Sequence, residues 1–184
     1  MKNIIRQKNK EIRNSMTKEE VVEKSNLASE NFLKSDLYRN ARCIMLYKSL
    51  GNETDTETII SSCFSDDKKV VLPVTERKSG KITPHYVEKS TEFEVGNFSV
   101  IEPKNAETAN PADIDVIIVP GIAFDKKGNR VGFGKGCYDM FLPETNAVKV
   151  GFCYHFQLCD LIPSDKHDIN MDYIITEKGI IKTK

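Results

Sequence analysis

The stretch PGIAFDKKGNRVGFGKGCYDMFL, residues 120 to 142, sets glycines at every second position, Gly132, Gly134 and Gly136, with Arg130 before them and Lys135 among them. Glycines two apart can leave several amide N–H groups pointing to one side, a concavity that binds anions, and a helix beyond adds its positive end. The apolar run DVIIVP precedes the stretch and CYDMFL has the form of a helix start. Residues 121 to 136 therefore read as a loop between a strand and a helix, where α/β folds take their ligands. The spacing is neither the Walker pattern nor G-x-G-x-x-G, so this is a phosphate loop of another kind. A glycine-rich hairpin turn that binds nothing would use the same residues, because turns need glycine for positive φ.

The elements that must position this loop alternate between helical and extended patterns. Ile4, Ile5, Ile12 and Met16 fall on one side of a basic first helix. TKEE, residues 17 to 20, has the capping-box form, and Val21, Val22, Leu27, Phe32 and Leu33 continue a second helix. CIMLY at 43 to 47 reads as a strand and TETIISSCF as a helix. KVVLPV, ITPHYV, DVIIVP, VKVGFCY and DYIIT are further strands, several of them apolar on both faces as a buried sheet requires. The pattern predicts a single-domain, three-layer α/β fold over residues 1–184, with a mixed, mainly parallel sheet covered by helices. Residues 88 to 113 are polar, weakly periodic and broken by Pro103 and Pro111, which predicts a long surface connection.

Composition narrows the function classes. Twenty-seven basic residues balance twenty-seven acidic ones, so no global positive field draws the chain onto nucleic acid or anionic lipid. Any anion site must be local. The five cysteines, Cys43, Cys63, Cys137, Cys153 and Cys159, include no C-x-x-C pair and read as free thiols of a reducing cytosol. The opening MKNIIRQKNKEIR is too charged for a secretory signal, and no run approaches the roughly 18 apolar residues of a membrane span. The expectation is a cytoplasmic protein with no nucleic-acid or membrane partner. His85, His155 and His167 have no metal-ligand spacing and read as structural.

VPGIAFDKKGNRVGFGKGCYD resembles the signature of the 5-formyltetrahydrofolate cyclo-ligase family, V-P-G-x-A-F-D, a short turn, then R-x-G-x-G-x-G-x-Y-D. KNIIR at the start is similar to the family's K-x-x-[LI]-R, SLGNETDT to its strand-end loop, IEP at 101 to 103 to its E-P element, and HDINMD at 167 to 172 to its H-D-x-x-x-D. The resemblance spans essentially the whole chain. It implies an ATP- and Mg²⁺-dependent closure of 5-formyltetrahydrofolate, with or without a polyglutamate tail, to 5,10-methenyltetrahydrofolate, with ADP and phosphate released; separately, a monomer is expected. It implies that Lys2, Asn3, Ile4, Ile5 and Arg6, with Arg130, Val131, Gly132, Phe133, Gly134, Lys135, Gly136, Cys137 and Tyr138, bind the nucleotide, and that Arg130 and Lys135 are catalytic. Lys48, Glu53, Phe133, Gly134, Lys135, Gly136 and Cys137 are implied on the folate side, with Glu53 gripping the pterin, and Asp139 and Asp168 on Mg²⁺. Cys137 stands where the family usually has an aromatic, and the chain has no tryptophan.

Two other classes stay open on the residues alone. A sugar-phosphate isomerase or CoA-transferase relative could use the same skeleton without ATP, and a non-catalytic nucleotide-binding module would keep Arg130 and the glycines. The paired aspartates argue against the first and Glu53 against the second.

Overall fold

The computed structural model describes residues 1–183. The chain opens with helices α1 (Lys2–Ser15), α2 (Lys18–Leu33) and α3 (Asp36–Asn40), strand β1 (Cys43–Met45), helix α4 (Glu57–Ser65) and strands β2 (Lys69–Thr75) and β3 (Ile82–Val87). Strands β4 (Phe93–Val95), β5 (Ile101–Pro103), β6 (Val116–Val119), β7 (Ala123–Asp125) and β8 (Arg130–Val131) follow. Helix α5 (Cys137–Phe141) and strands β9 (Val148–Phe152), β10 (Leu158–Cys159), β11 (Tyr173–Thr176) and β12 (Gly179–Lys182) complete it.

Seven strands form one sheet in the order β12-β11-β9-β6-β1-β2-β3. The five inner strands are parallel and the two edges antiparallel, the mixed and mainly parallel α/β arrangement that the apolar runs predict. Strand alternation divides the core between the two faces. Ile44 and Leu46 with Val116 and Ile118 face α2, α3 and α4, whereas Met45 with Ile117 and Val119 faces α5 and the loops beside it. The predicted capping box is present: the Glu20 amide donates to Thr17 Oγ1 at 3.2 Å and the Thr17 amide to Glu20 Oε2 at 2.9 Å.

Three expectations are corrected. Of the isoleucines of the first helix only Ile5 turns inward; Ile4 is 73% and Ile12 38% exposed. Its covered stripe is Lys2, Ile5, Arg6, Asn9 and Arg13, at helical spacing but mostly polar, because it faces a polar site. The surface connection of residues 88 to 113 has more structure than its weak periodicity predicts. It contains the hairpin of β4 and β5, pinned by the buried Glu102, whose Oε1 accepts from the Thr75 amide at 2.8 Å. The stretch 121 to 136 is not all loop either. Its first half is the β7–β8 hairpin, which joins β10 in a small second sheet.

That small sheet is fastened to the large one through Phe124. Ring atoms of Phe124 lie 2.5 Å from where a Cβ would sit on Gly121, and also 2.5 Å from one on Gly151 of β9, so both glycines are small to admit the ring. Gly151→Ala should cost about 1–3 kcal/mol through overpacking. Urea denaturation checks this, and an unchanged midpoint would show that the ring can shift freely.

Candidate active site

The chain passes from β1 outward to β2 and from β6 outward to β9 on the other side, so the neighbours β1 and β6 bound the switch point of the sheet. A crevice outside the carboxyl ends of such strands is the favoured ligand position in open α/β sheets. A cavity of about 480 Å³ lies there, lined by Tyr47 and Lys48 after β1, Pro73 and Thr75 of β2, and Pro120 after β6.

The glycine loop forms one side, and its three glycines have different reasons. A Cβ on Gly132 would stand 3.0 Å from Arg130 Nη1, so this position admits the protein's own guanidinium. Gly134, at φ 106°, and Gly136, at φ 65°, take left-handed backbone that favours glycine. A Cβ on Gly136 would meet nothing within 4 Å, and one on Gly134 only Arg6 Nη2 at 3.9 Å. These two open positions form the cradle.

Five cations line the same cavity, Lys2, Arg6, Lys48, Arg130 and Lys135. Arg6 is aimed by its Nε, which donates to the Gly132 carbonyl at 3.0 Å, and by a hydrogen bond to Asn3 Oδ1. The Arg130 side chain is only 6% exposed; Nη1 donates to the Pro120 carbonyl at 3.2 Å and Nη2 to Asp139 Oδ2 at 3.0 Å. Lys2 Nζ donates to Asp168 Oδ2 at 2.5 Å and to Asp165 Oδ2 at 2.8 Å. Asp139 and Asp168 also line the cavity, and Asp139 Oδ1 accepts from the amide of Ile169, the residue after Asp168, at 3.2 Å. Each aspartate is thus held against one of the cations. Burial pushes the Asp168 carboxyl up, but the Asp165 amide and the Lys2 ammonium outweigh it and hold it below the usual value.

The lining also has apolar residues, Leu50, Ile82, Val100, Phe133 and Tyr138, the last with its ring centre 5.7 Å from the Arg130 guanidinium. Glu53 lies among them, 9% exposed. Its Oε2 accepts from the Leu50 amide at 2.9 Å, and Oε1 faces Arg13 Nη1 at 3.8 Å. Burial pushes the Glu53 carboxyl up, against the pull of the Leu50 amide and Arg13. Lys48 Nζ is bonded to Glu57 Oε2 at 2.5 Å and lies 5.0 Å from the centre of the Phe93 ring. Burial raises the Cys137 thiol, so it is a protonated wall residue.

The structure therefore brings Lys2, Arg6, Lys48, Glu53, Asp139, Asp168 and all of residues 130 to 138 to one cavity. Asn3, Ile4 and Ile5 stand apart from its lining: Asn3 orients Arg6, Ile4 is exposed, and Ile5 packs with Ala123, Val131 and Ile162. Sequence reasoning missed Arg13, although it continues the covered stripe of α1 one turn past Asn9.

A model of the 5-formyltetrahydrofolate cyclo-ligase family matches residues 1–177. The 5-formyltetrahydrofolate cyclo-ligase of Haemophilus influenzae is 33% identical over 141 residues, 71% of this chain and 73% of its own. That of Mus musculus is 27% identical over 176 residues, 89% of this chain and 87% of its own. Among solved structures, the 5,10-methenyltetrahydrofolate synthetase of Aquifex aeolicus superposes with a TM-score of 0.86 at 31% identity, covering 100% of this chain and 93% of that one.

The depressed Asp168 carboxyl carries a pH dependence. Its contribution to stability is present above 3.8, its ordinary value, and is lost as the pH falls through the lower folded value. Asp168→Asn should therefore flatten the acid limb of stability, measured by urea unfolding on descending pH. An acid limb as steep as that of the wild type would remove Asp168 as its source.

Proposed function

The chain belongs to the 5-formyltetrahydrofolate cyclo-ligase family, and we propose that the cavity between β1 and β6 is where it closes 5-formyltetrahydrofolate to 5,10-methenyltetrahydrofolate. The chain is a ligase, and such closure uses ATP. One cavity gathers an open glycine cradle, five cations, two aspartates and, beside its apolar lining, a buried carboxylate, and this gathering supports the reading. A sugar-phosphate isomerase has no use for this set, and a nucleotide-binding module has none for Glu53.

A formamide oxygen is a poor leaving group, and ATP supplies its activation by phosphorylation. The protein's part is positioning and neutralisation of charge. The amides around Gly134 and Gly136 and the side chains of Lys2, Arg6 and Lys135 would hold the triphosphate. Arg130, anchored to the Pro120 carbonyl, has a fixed guanidinium for charge that moves off the terminal phosphate. Glu53 would accept paired N–H groups of the pterin, with Tyr138, Leu50 and Phe133 covering the ring and excluding water. Lys48 lines the same cavity.

Mg²⁺ fits this donor set. Asp139 and Asp168 offer hard oxygens, and among the described residues no cluster of three metal-ligating side chains exists, which suits an ion that takes its remaining ligands from phosphate and water. The ion would neutralise the developing charge. Among the described residues no helix is long and apolar enough to cross a membrane; we place the reaction in the cytoplasm, in a monomer.

Absorbance of the methenyl product on mixing protein, ATP, Mg²⁺ and 5-formyltetrahydrofolate tests the function, and no product would refute it. Gly134→Val should abolish ATP binding with the fold kept, because the side chain is strained at this φ and fills the cradle; normal ATP affinity in a folded variant would refute the cradle. Arg130→Ala should lower kcat by about 10²–10³-fold, more than it weakens folate binding. Equal loss of folate affinity would move Arg130 to the folate side. Because Lys2 rests on Asp168, metal-free nucleotide must take Lys2 from that carboxylate. Asp168→Asn should bind metal-free ADP several-fold more tightly while needing more Mg²⁺ for half-maximal rate. Calorimetry in the presence of a chelator reads the first effect, and weaker binding would show that Asp168 does not restrain Lys2.

A further inference from the structure

We propose that Arg13, in the last turn of α1, is a positioning residue for the folate end of the cavity, keeping the Glu53 carboxylate charged and aimed while bracing Phe133 of the glycine loop. The proposal rests on the reading of Glu53 as the acceptor of the pterin.

Arg13 is outside the cavity lining, against Glu53 and Phe133, which belong to it. Its side chain and that of Glu53 are each 11% exposed, so the pair is shielded from water and from salt. At 3.8 Å the contact between Arg13 Nη1 and Glu53 Oε1 is coulombic and too long for a hydrogen bond. Oε1 therefore keeps its lone pairs for a ligand, while Oε2 is fixed by the Leu50 amide. A cation that only braced the loop would be expected to close a hydrogen bond and consume that oxygen.

The same guanidinium lies 5.6 Å from the centre of the Phe133 ring, with Lys10 Nζ at 5.9 Å. Phe133 is 47% exposed and lines the cavity, so these cations hold an aromatic that little else covers. The backbone closes the arrangement. Asn52 Nδ2 donates to the carbonyls of Arg13 at 2.9 Å and Met16 at 3.0 Å, which ties the residue before Glu53 to the end of α1. Arg13 Nε is buried and has no partner among the described residues, a cost that a purely structural arginine on a surface helix would not carry. One side chain thus joins α1, the loop after β1 and the glycine loop.

The groups facing Glu53 come from every side. Arg13 faces it from α1, Tyr47 from the end of β1 and Tyr138 from α5, and the Tyr154 hydroxyl donates to the Glu53 carbonyl at 3.1 Å. Burial raises all three tyrosines, so they stay neutral where a carboxyl titrates. Arg13 is the charge that opposes the burial of Glu53. Without it the carboxyl stays protonated to higher pH, and a ligand that needs paired acceptors binds only above that pH.

The test compares Arg13→Gln and Arg13→Lys with the wild type. Calorimetry follows 5-formyltetrahydrofolate without nucleotide against pH, and NMR follows the Glu53 carboxyl carbon in the free protein. In Arg13→Gln the carboxyl titration and the acid limb of folate binding should both move to higher pH, with binding about 10-fold weaker within that limb, a shift of roughly one pH unit. Arg13→Lys should restore most of both, and ADP affinity should hold in each variant. A Glu53 titration unmoved in Arg13→Gln overturns the proposal, whatever happens to affinity, and so does equal loss in both variants. If Glu53→Gln leaves folate affinity and its acid limb unchanged, the reading of Glu53 fails instead, and the carboxyl titration still decides what Arg13 does to its charge.

Discussion

The site depends on one buried carboxylate that takes no part in the chemistry. Asp125, at the end of β7 and fully buried, accepts four hydrogen bonds: from the amides of Lys127, Asn129 and Ile162 and from Asn129 Nδ2. A buried ion is tolerated only when its lone pairs are satisfied in this way. These bonds fix the turn between β7 and β8, which sets where Arg130 leaves the sheet and where the glycine loop begins. Gly128 in that turn has φ 85°, and a Cβ there would stand 2.3 Å from the Met171 carbonyl. The turn also takes Asn170 Nδ2 onto the Lys127 carbonyl at 2.9 Å, so the segment carrying Asp168 is docked by the same device that aims Arg130. Residues nearly forty positions apart reach one cavity because both are fastened to one turn.

The cavity then balances its own charges. Arg130 rests on Asp139 and Lys2 on Asp168, so cations suited to phosphate are held by carboxylates suited to metal. The two pairs differ in weight. Arg130, 6% exposed, is anchored on two sides and hardly moves, whereas Lys2, 25% exposed at the start of α1, forms a contact of the kind that contributes about 1 kcal/mol or less. The fixed pair suits charge that develops during reaction, and the loose one suits ligand entry.

Six of the seven strands of the large sheet were legible as apolar or β-branched runs, and ITPHYV is observed as β3 residue for residue, whereas the half-exposed edge strand β12 was not. The capping box and the glycine loop were legible for the same reason, a local pattern with a local cause. What escaped notice is where partners distant in sequence replace apolar periodicity. The inward face of α1 is Lys2, Ile5, Arg6, Asn9 and Arg13, mostly polar, so a hydrophobic pattern points the helix the wrong way, while the spacing of the cations shows the true face. The β4–β5 hairpin has exposed residues throughout β4 and is held by Glu102, which no alternation announces. Gly132 looked like its neighbours but answers to Arg130, a contact visible only once the chain has turned back on itself.

The sheet itself contributes little of the site beyond its position. The crevice at the switch point is open in any fold of this order, and many unrelated chemistries can occupy it. What distinguishes this crevice is added from outside the sheet: α1 brings the cations Lys2 and Arg6, the segment of residues 165 to 168 brings the carboxylate of Asp168, and Val100, just before β5, adds an apolar side chain. The β4–β5 hairpin is fixed to β2 by two contacts, Glu102 on the Thr75 amide and Asn97 Nδ2 on the Thr75 carbonyl at 2.8 Å. Its position is therefore set by a strand that itself lines the cavity, through Pro73 and Thr75. A chain with no tryptophan can line this side of the cavity in this way, because an aliphatic residue loses little side-chain freedom on being ordered.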